Sequence, residues 1–143
     1  MPQVGATRQL ADFLAKTNYQ DLPGPVIEKT KELITDQLGV ALASSTLPWN
    51  RKVLEYVQDM GIGGESRVIG TPYRTALEYA ALVNESFSSE RQSRESFIGR
   101  SSWISFLASM VLSRDRAKEL LHAVQNLEQM KDINELADLT ISG

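Results

Sequence analysis

Histidine is the usual acid–base side chain near neutral pH, and this chain has one, His122. It sits among Leu120, Leu121 and Val124, so it is either a catalytic group or a plain residue at the edge of a core. Two carboxylates stand out in the same way. Asp36 and Glu78 lie on otherwise apolar helical stretches, where a buried carboxyl would serve as a proton donor and an exposed one would merely flank the helix. These three form the expected catalytic set. Arg51, Arg74 and Arg100 could each grip a carboxylate through a planar guanidinium, or stay solvated. Trp49, Tyr56, Tyr73, Tyr79, Phe87, Trp103 and Phe106 would suit an apolar pocket for a flat or greasy ligand, or an ordinary core. Trp49, Arg51, Tyr73, Tyr79 and Trp103 are the expected substrate contacts.

Other chemistries are excluded or disfavoured. The chain has no cysteine, which rules out disulfides, thiolate catalysis and thiolate zinc sites. His122 lacks carboxylates at metal-ligand spacing, so no metal is expected, and no cofactor motif is present. Gly61-Ile-Gly-Gly invites a phosphate-loop reading, but such a loop follows a strand and opens a helix. Here a helix precedes it and an extended piece follows, so a turn is expected. A net charge of −3 gives no basic excess for nucleic acid. The most apolar stretch, Trp103 to Leu112, contains serines and falls short of the roughly 20 residues of a membrane span. The N-terminus carries no apolar signal-peptide run. A soluble, cytoplasmic protein without membrane contact is expected.

The elements that must position these residues read as helices. Leu10, Phe13 and Leu14 make a short apolar stripe that Thr7 could cap. Residues 18–24 break it. Pro23 and Pro25 suit the first turn of a long amphipathic helix, with Val26, Thr30, Leu33, Ile34, Leu38, Ala41 and Leu42 at three- and four-residue steps, ending near Ser44. Gly39 inside it suggests a closely packed neighbour. Pro48 opens a third helix, which Gly61 stops. Residues 66–70 read as a short extended piece, and one strand alone makes no sheet. A fourth helix runs from Ala76 to about Phe87. Residues 88–100 are rich in Ser, Arg and Glu and read as a linker. A fifth helix carries Trp103, Phe106 and Met110. Asp115 could cap a sixth and Asp132 a seventh. Six or seven helices with short connections predict a compact all-α bundle in one domain, residues 1–143.

Several of these stretches resemble a known family. Leu10-Ala-Asp-Phe-Leu, Tyr19-Gln-Asp-Leu-Pro and Lys31-Glu-Leu-Ile-Thr-Asp-Gln-Leu-Gly-Val-Ala-Leu-Ala are followed by Gly64-Glu-Ser-Arg-Val-Ile-Gly-Thr and Ala80-Ala-Leu-Val-Asn. In that order they resemble the N-terminal part of the MmgE/PrpD family, which includes 2-methylcitrate dehydratase and cis-aconitate decarboxylase. Val124-Gln-Asn-Leu-Glu-Gln-Met-Lys-Asp-Ile-Asn-Glu-Leu resembles the family's final helices. The resemblance divides the chain into a family-like part at 8–88, an unmatched bridge at 89–114 and a family-like tail at 115–143. It implies part of the family's helical domain, without the inserted lid domain, and a tendency to form homodimers. It also adds Asn84 to the expected substrate contacts.

The departures are as informative. In the family, the Asn of this stretch is followed by Gly and then by an acidic segment ending in Asp-Asp-Thr-His, which handles proton transfer. Here Asn84 is followed by Glu85-Ser-Phe-Ser-Ser-Glu-Arg-Gln, with neither Asp-Asp nor His. The dehydratase and decarboxylase reactions are therefore not expected. Two function classes remain. The first is a repurposed enzyme of isomerase, cyclase or lyase type, acting on an organic acid or polyketide-like metabolite mainly through shape and orientation. The second is a non-catalytic module for dimerisation or ligand binding. The enzyme predicts a closed apolar pocket with convergent polar groups. The module predicts a filled core and an exposed apolar face.

Overall fold

The computed structural model describes residues 5–88, 108 and 110–141. Among them are six α-helices: α1 (Ala6–Lys16), α2 (Gly24–Ser44), α3 (Pro48–Asp59), α4 (Leu77–Ser88), α5 (Arg114–Gln125) and α6 (Ile133–Leu139). Short 3₁₀ turns occupy Tyr19–Asp21 and Leu127–Gln129. The expected all-α class is met. The expected helix around Trp103 and Phe106 lies outside the described residues; of its end, the Val111 and Leu112 N–H groups donate to the Ala108 carbonyl.

By its internal contacts the chain divides into two compact units, 1–30 and 31–143. In the first, α1 has no buried residue, and Leu10, Phe13 and Leu14 are all exposed. Gly5, not Thr7, is its N-cap, and no side chain caps that end. Thr7 lies two positions past the cap, inside the first helical turn, and a capping side chain must precede that turn. The break at residues 18–21 is ordered by the Asn18 N–H, which donates to the Asp21 carboxylate at 2.8 Å.

The second unit holds two apolar clusters. Leu42, Leu112, Leu120, Val124 and Leu136 form the centre of one, from α2, α5, α6 and the turn before α5. Ala41, Val57, Val68, Val83 and Phe87 form the other, from α2, α3, α4 and the segment between them. Neighbouring residues of α2, Ala41 and Leu42, thus serve different clusters, and Val40 to Leu42 are buried in succession. Only a helix packed on more than one side reads this way. Buried Asn50 fixes how α3 leaves α2, its amide donating to the Ser44 carbonyl at 2.9 Å. Ser113, not Asp115, caps α5 by accepting from Arg116 N–H at 3.3 Å. Asp132 caps α6 as expected, accepting from Asn134 N–H at 2.9 Å.

The extended piece does have a partner. Ser66–Arg67 (β1) pairs antiparallel with Arg74–Thr75 (β2), Ser66 opposite Thr75 and Arg67 opposite Arg74. The expectation of no sheet is corrected to a two-stranded ribbon between α3 and α4. No described helix is long and apolar enough to cross a membrane.

Candidate functional site

The densest polar arrangement among the described residues surrounds this ribbon. Backbone chemistry shapes it first. Gly61 follows α3 at φ +62°, the left-handed position that ends a helix cleanly. A Cβ at Gly64 would run into the backbone of Thr75, so only glycine lets the two strands close. Gly70 turns the tip at φ +76°, and a Cβ there would stand 3.3 Å from the Leu42 side chain. Gly61-Ile-Gly-Gly is thus a turn that starts a ribbon, as expected. Thr75, fully buried, donates its hydroxyl to the Ile62 carbonyl at 2.7 Å and locks that turn from inside.

Helix α4, through Asn84, and the end of α6 grip the ribbon. The Asn84 carboxamide accepts from Ile69 N–H at 2.9 Å and donates to the Arg67 carbonyl at 3.1 Å. It therefore behaves like one more unit of strand, satisfying two backbone groups at once. Thr140 is fully buried, accepts from Gly70 N–H at 3.1 Å and donates to the Ala137 carbonyl at 2.6 Å. The largely buried Arg67 guanidinium pairs with the Asp138 carboxylate. Arg116 of α5 donates to the Asp138 carbonyl at 2.9 Å. Arg67 Nε is buried without a partner, a desolvation cost carried by the same junction. Chain segments 70 residues apart, the ribbon tip and the end of α6, are joined here by hydrogen bonds.

The expected site residues lie on several elements. His122 is exposed in the last turn of α5, where a histidine complements the helix dipole, with the Asn126 amide 3.4 Å from its Nε2. Asp36 is half-buried on α2, and Glu78 is exposed in the first turn of α4. No hydrogen bond or ion pair joins these three to one another among the described residues. Trp49 and Arg51 are exposed on α3. Tyr73 and Tyr79 are half-buried against the second cluster, and the Tyr73 hydroxyl donates to the Val57 carbonyl at 3.4 Å. Arg100, Trp103 and Phe106 lie outside the described residues. Arg67, Asp138 and Thr140 were not anticipated. The signal that could have found Arg67 was its place in the Gly64–Thr71 stretch.

Two groups carry shifted protonation equilibria. A hydrogen bond from Lys31 at 2.7 Å holds the Glu128 carboxyl below the ordinary glutamate value. Lys31 also donates to the Gln125 carbonyl at 2.7 Å, so it ties α2 to the end of α5. A hydrogen bond to Glu55 at 2.6 Å raises the Lys52 ammonium above the ordinary lysine value. Among the described residues no three His, Asp or Glu side chains gather as metal ligands. A small apolar depression between α2 and α5 includes Leu38, Gly39, Ala117 and Leu120. Its cavity volume is about 10 Å³, room for about one water. Gly39 is buried on the α2 side of this depression.

Residues 8–90, more than half of the chain, match the model of the MmgE/PrpD N-terminal domain. Over 86 residues the chain is 28% identical to the cis-aconitate decarboxylase-like protein oryM of Aspergillus oryzae, which covers 60% of this chain and 18% of that protein. Over 83 residues it is 28% identical to a cis-aconitate decarboxylase of Aspergillus terreus, which covers 58% of this chain and 17% of that protein. The matched part thus spans less than a fifth of these relatives. No solved structure matches the chain.

Proposed function

The chain belongs to the MmgE/PrpD family, and from that premise we propose that it works as a cytoplasmic helical association module that pairs with a second copy of itself. One contrast carries this reading. The polar groups gathered at the ribbon are engaged in holding the framework, while large apolar side chains of α3 stand in solvent. Asn84 has both ends of its carboxamide bonded to backbone. Trp49, Tyr56 and Met60 are 56%, 60% and 40% exposed. An apolar face of this kind marks a surface that something else covers. The tail supports the reading, since Asp138 and Thr140 at the end of α6 bond the ribbon and α5 and α6 pack against α2. We read that tail as equivalent to the family's final helices.

A second reading has its own support. The relatives are named as a cis-aconitate decarboxylase and a cis-aconitate decarboxylase-like protein, which favours a lyase-type enzyme for a small organic acid, with isomerase or cyclase chemistry as variants. There His122, Asp36 and Glu78 would move protons. Arg51, Asn84 and the aromatic residues would hold the carboxylates.

A thermal-shift titration separates the two. The module reading expects no rise in Tm with cis-aconitate, citrate or 2-methylcitrate at millimolar concentration. A saturable rise that Arg51→Ala abolishes would overturn it in favour of the enzyme.

A further inference from the structure

Two charged groups of unequal burial meet where α6 ends. The Arg67 side chain is 11% exposed, and its partner Asp138, in the last turn of α6, is 53% exposed. We propose that the Arg67 guanidinium is a binding site for a small dicarboxylate, and that Asp138 fills it as a tethered stand-in that keeps it shut. Asp138 can return to water at little cost. Arg67 without an anion is a buried, uncompensated charge. The cation is therefore the fixed half of the pair and the anion the exchangeable half.

The guanidinium fork is also half-filled. Asp138 meets Nη2 of Arg67 through one carboxylate oxygen. Nε, which shares an edge of the guanidinium with Nη2, is buried without a partner. A free carboxylate takes both prongs of such an edge at once. Asp138 takes one, and its backbone is held elsewhere. Arg116 donates to its carbonyl at 2.9 Å, and two residues on, Thr140 accepts from the Gly70 N–H at 3.1 Å. Moving residues 138–140 aside frees the Arg116 and Gly70 donors as well. Arg67 and Arg116 both meet Asp138, one at its carboxylate and one at its carbonyl. Once it has moved they offer two guanidiniums to a ligand with a carboxylate at each end of a short chain. Arg116 also bonds Glu119 at 3.2 Å, so Arg67 is the principal anchor. Helix α6 has one buried residue, Leu136, so it can lift without the rest of the fold opening.

A tethered carboxylate acts at high effective concentration, so the native chain stays shut at millimolar succinate. Asp138→Asn removes the charge of the stand-in and keeps its size. With about 10 mM succinate, its Tm should rise saturably by about 3 °C or more, against sodium chloride of equal ionic strength. The native chain should move by less than about 1 °C, and adding Arg67→Gln to Asp138→Asn should abolish the rise. Circular dichroism checks that each variant is folded. A rise that chloride matches, that survives Arg67→Gln, or that the native chain shows equally overturns the proposal. A second readout needs no variant. In about 200 mM succinate, hydrogen exchange of the native chain should quicken in α6 relative to α4 by about twofold or more, against chloride of equal ionic strength. An unchanged ratio of α6 to α4 overturns the proposal as well.

Discussion

Asn84 has a structural task that its place in the chain does not announce. Its position in Ala80-Ala-Leu-Val-Asn drew attention through the family resemblance, as a substrate contact. The structure shows a carboxamide closing two backbone hydrogen bonds of a ribbon 15 and 17 residues upstream. No periodicity in the sequence reveals a bond of that kind, and the same holds for Arg67 with Asp138. Single residues far apart carry no pattern until the fold joins them. Asn84→Ala strands the Ile69 N–H and the Arg67 carbonyl, so it should cost about 1–3 kcal/mol in urea unfolding. His122→Ala removes an exposed side chain and should change stability by no more than about 0.5 kcal/mol by the same measurement. Glu128 gives a pH prediction. Its carboxyl is held below the ordinary value by Lys31. Its contribution is therefore present above the unfolded-state value and is lost as pH falls through the lower folded one. Glu128→Gln should flatten the fall of Tm in that acidic window. An unchanged acid limb would show that the Lys31 tie contributes nothing to stability.

At the scale of elements, α2, α3 and α4 were readable because their apolar residues recur at helical spacing over three or more turns. The ends were harder. Cap positions shift by one or two residues without changing the pattern, which is why Gly5 and Ser113 replaced Thr7 and Asp115. The strand Arg74–Thr75 has two residues, too few for an alternation to show. Gly64, read only as part of a turn, is where the ribbon closes, since a Cβ there would meet the Thr75 backbone. Gly64→Ala should cost about 2 kcal/mol or more, because the clash is with backbone that cannot rotate away. Helix α6 has one buried residue, Leu136, and relies on polar ties to the ribbon and to α5. Thr140→Val should raise amide exchange in α6 well above that in α4, as measured by hydrogen exchange on the folded protein. Equal effects on both helices would mean that the two open as one unit.

At the scale of the molecule, the all-α class and the family were readable from the sequence, and the function was not. Class follows from periodicity, and family from short stretches in the correct order. Function depends on which polar groups are left free once the framework is bonded and which apolar faces are left uncovered. Neither can be counted before the fold is known. Here the framework engages Asn84, Arg67 and Thr140, and α3 leaves Trp49 and Tyr56 outside. Sedimentation equilibrium of the full chain, over a hundredfold range of concentration, tests the association reading most directly. The account predicts an apparent mass that rises with concentration from the 15.9 kDa of one chain towards twice that value. A mass that stays at 15.9 kDa throughout would contradict it.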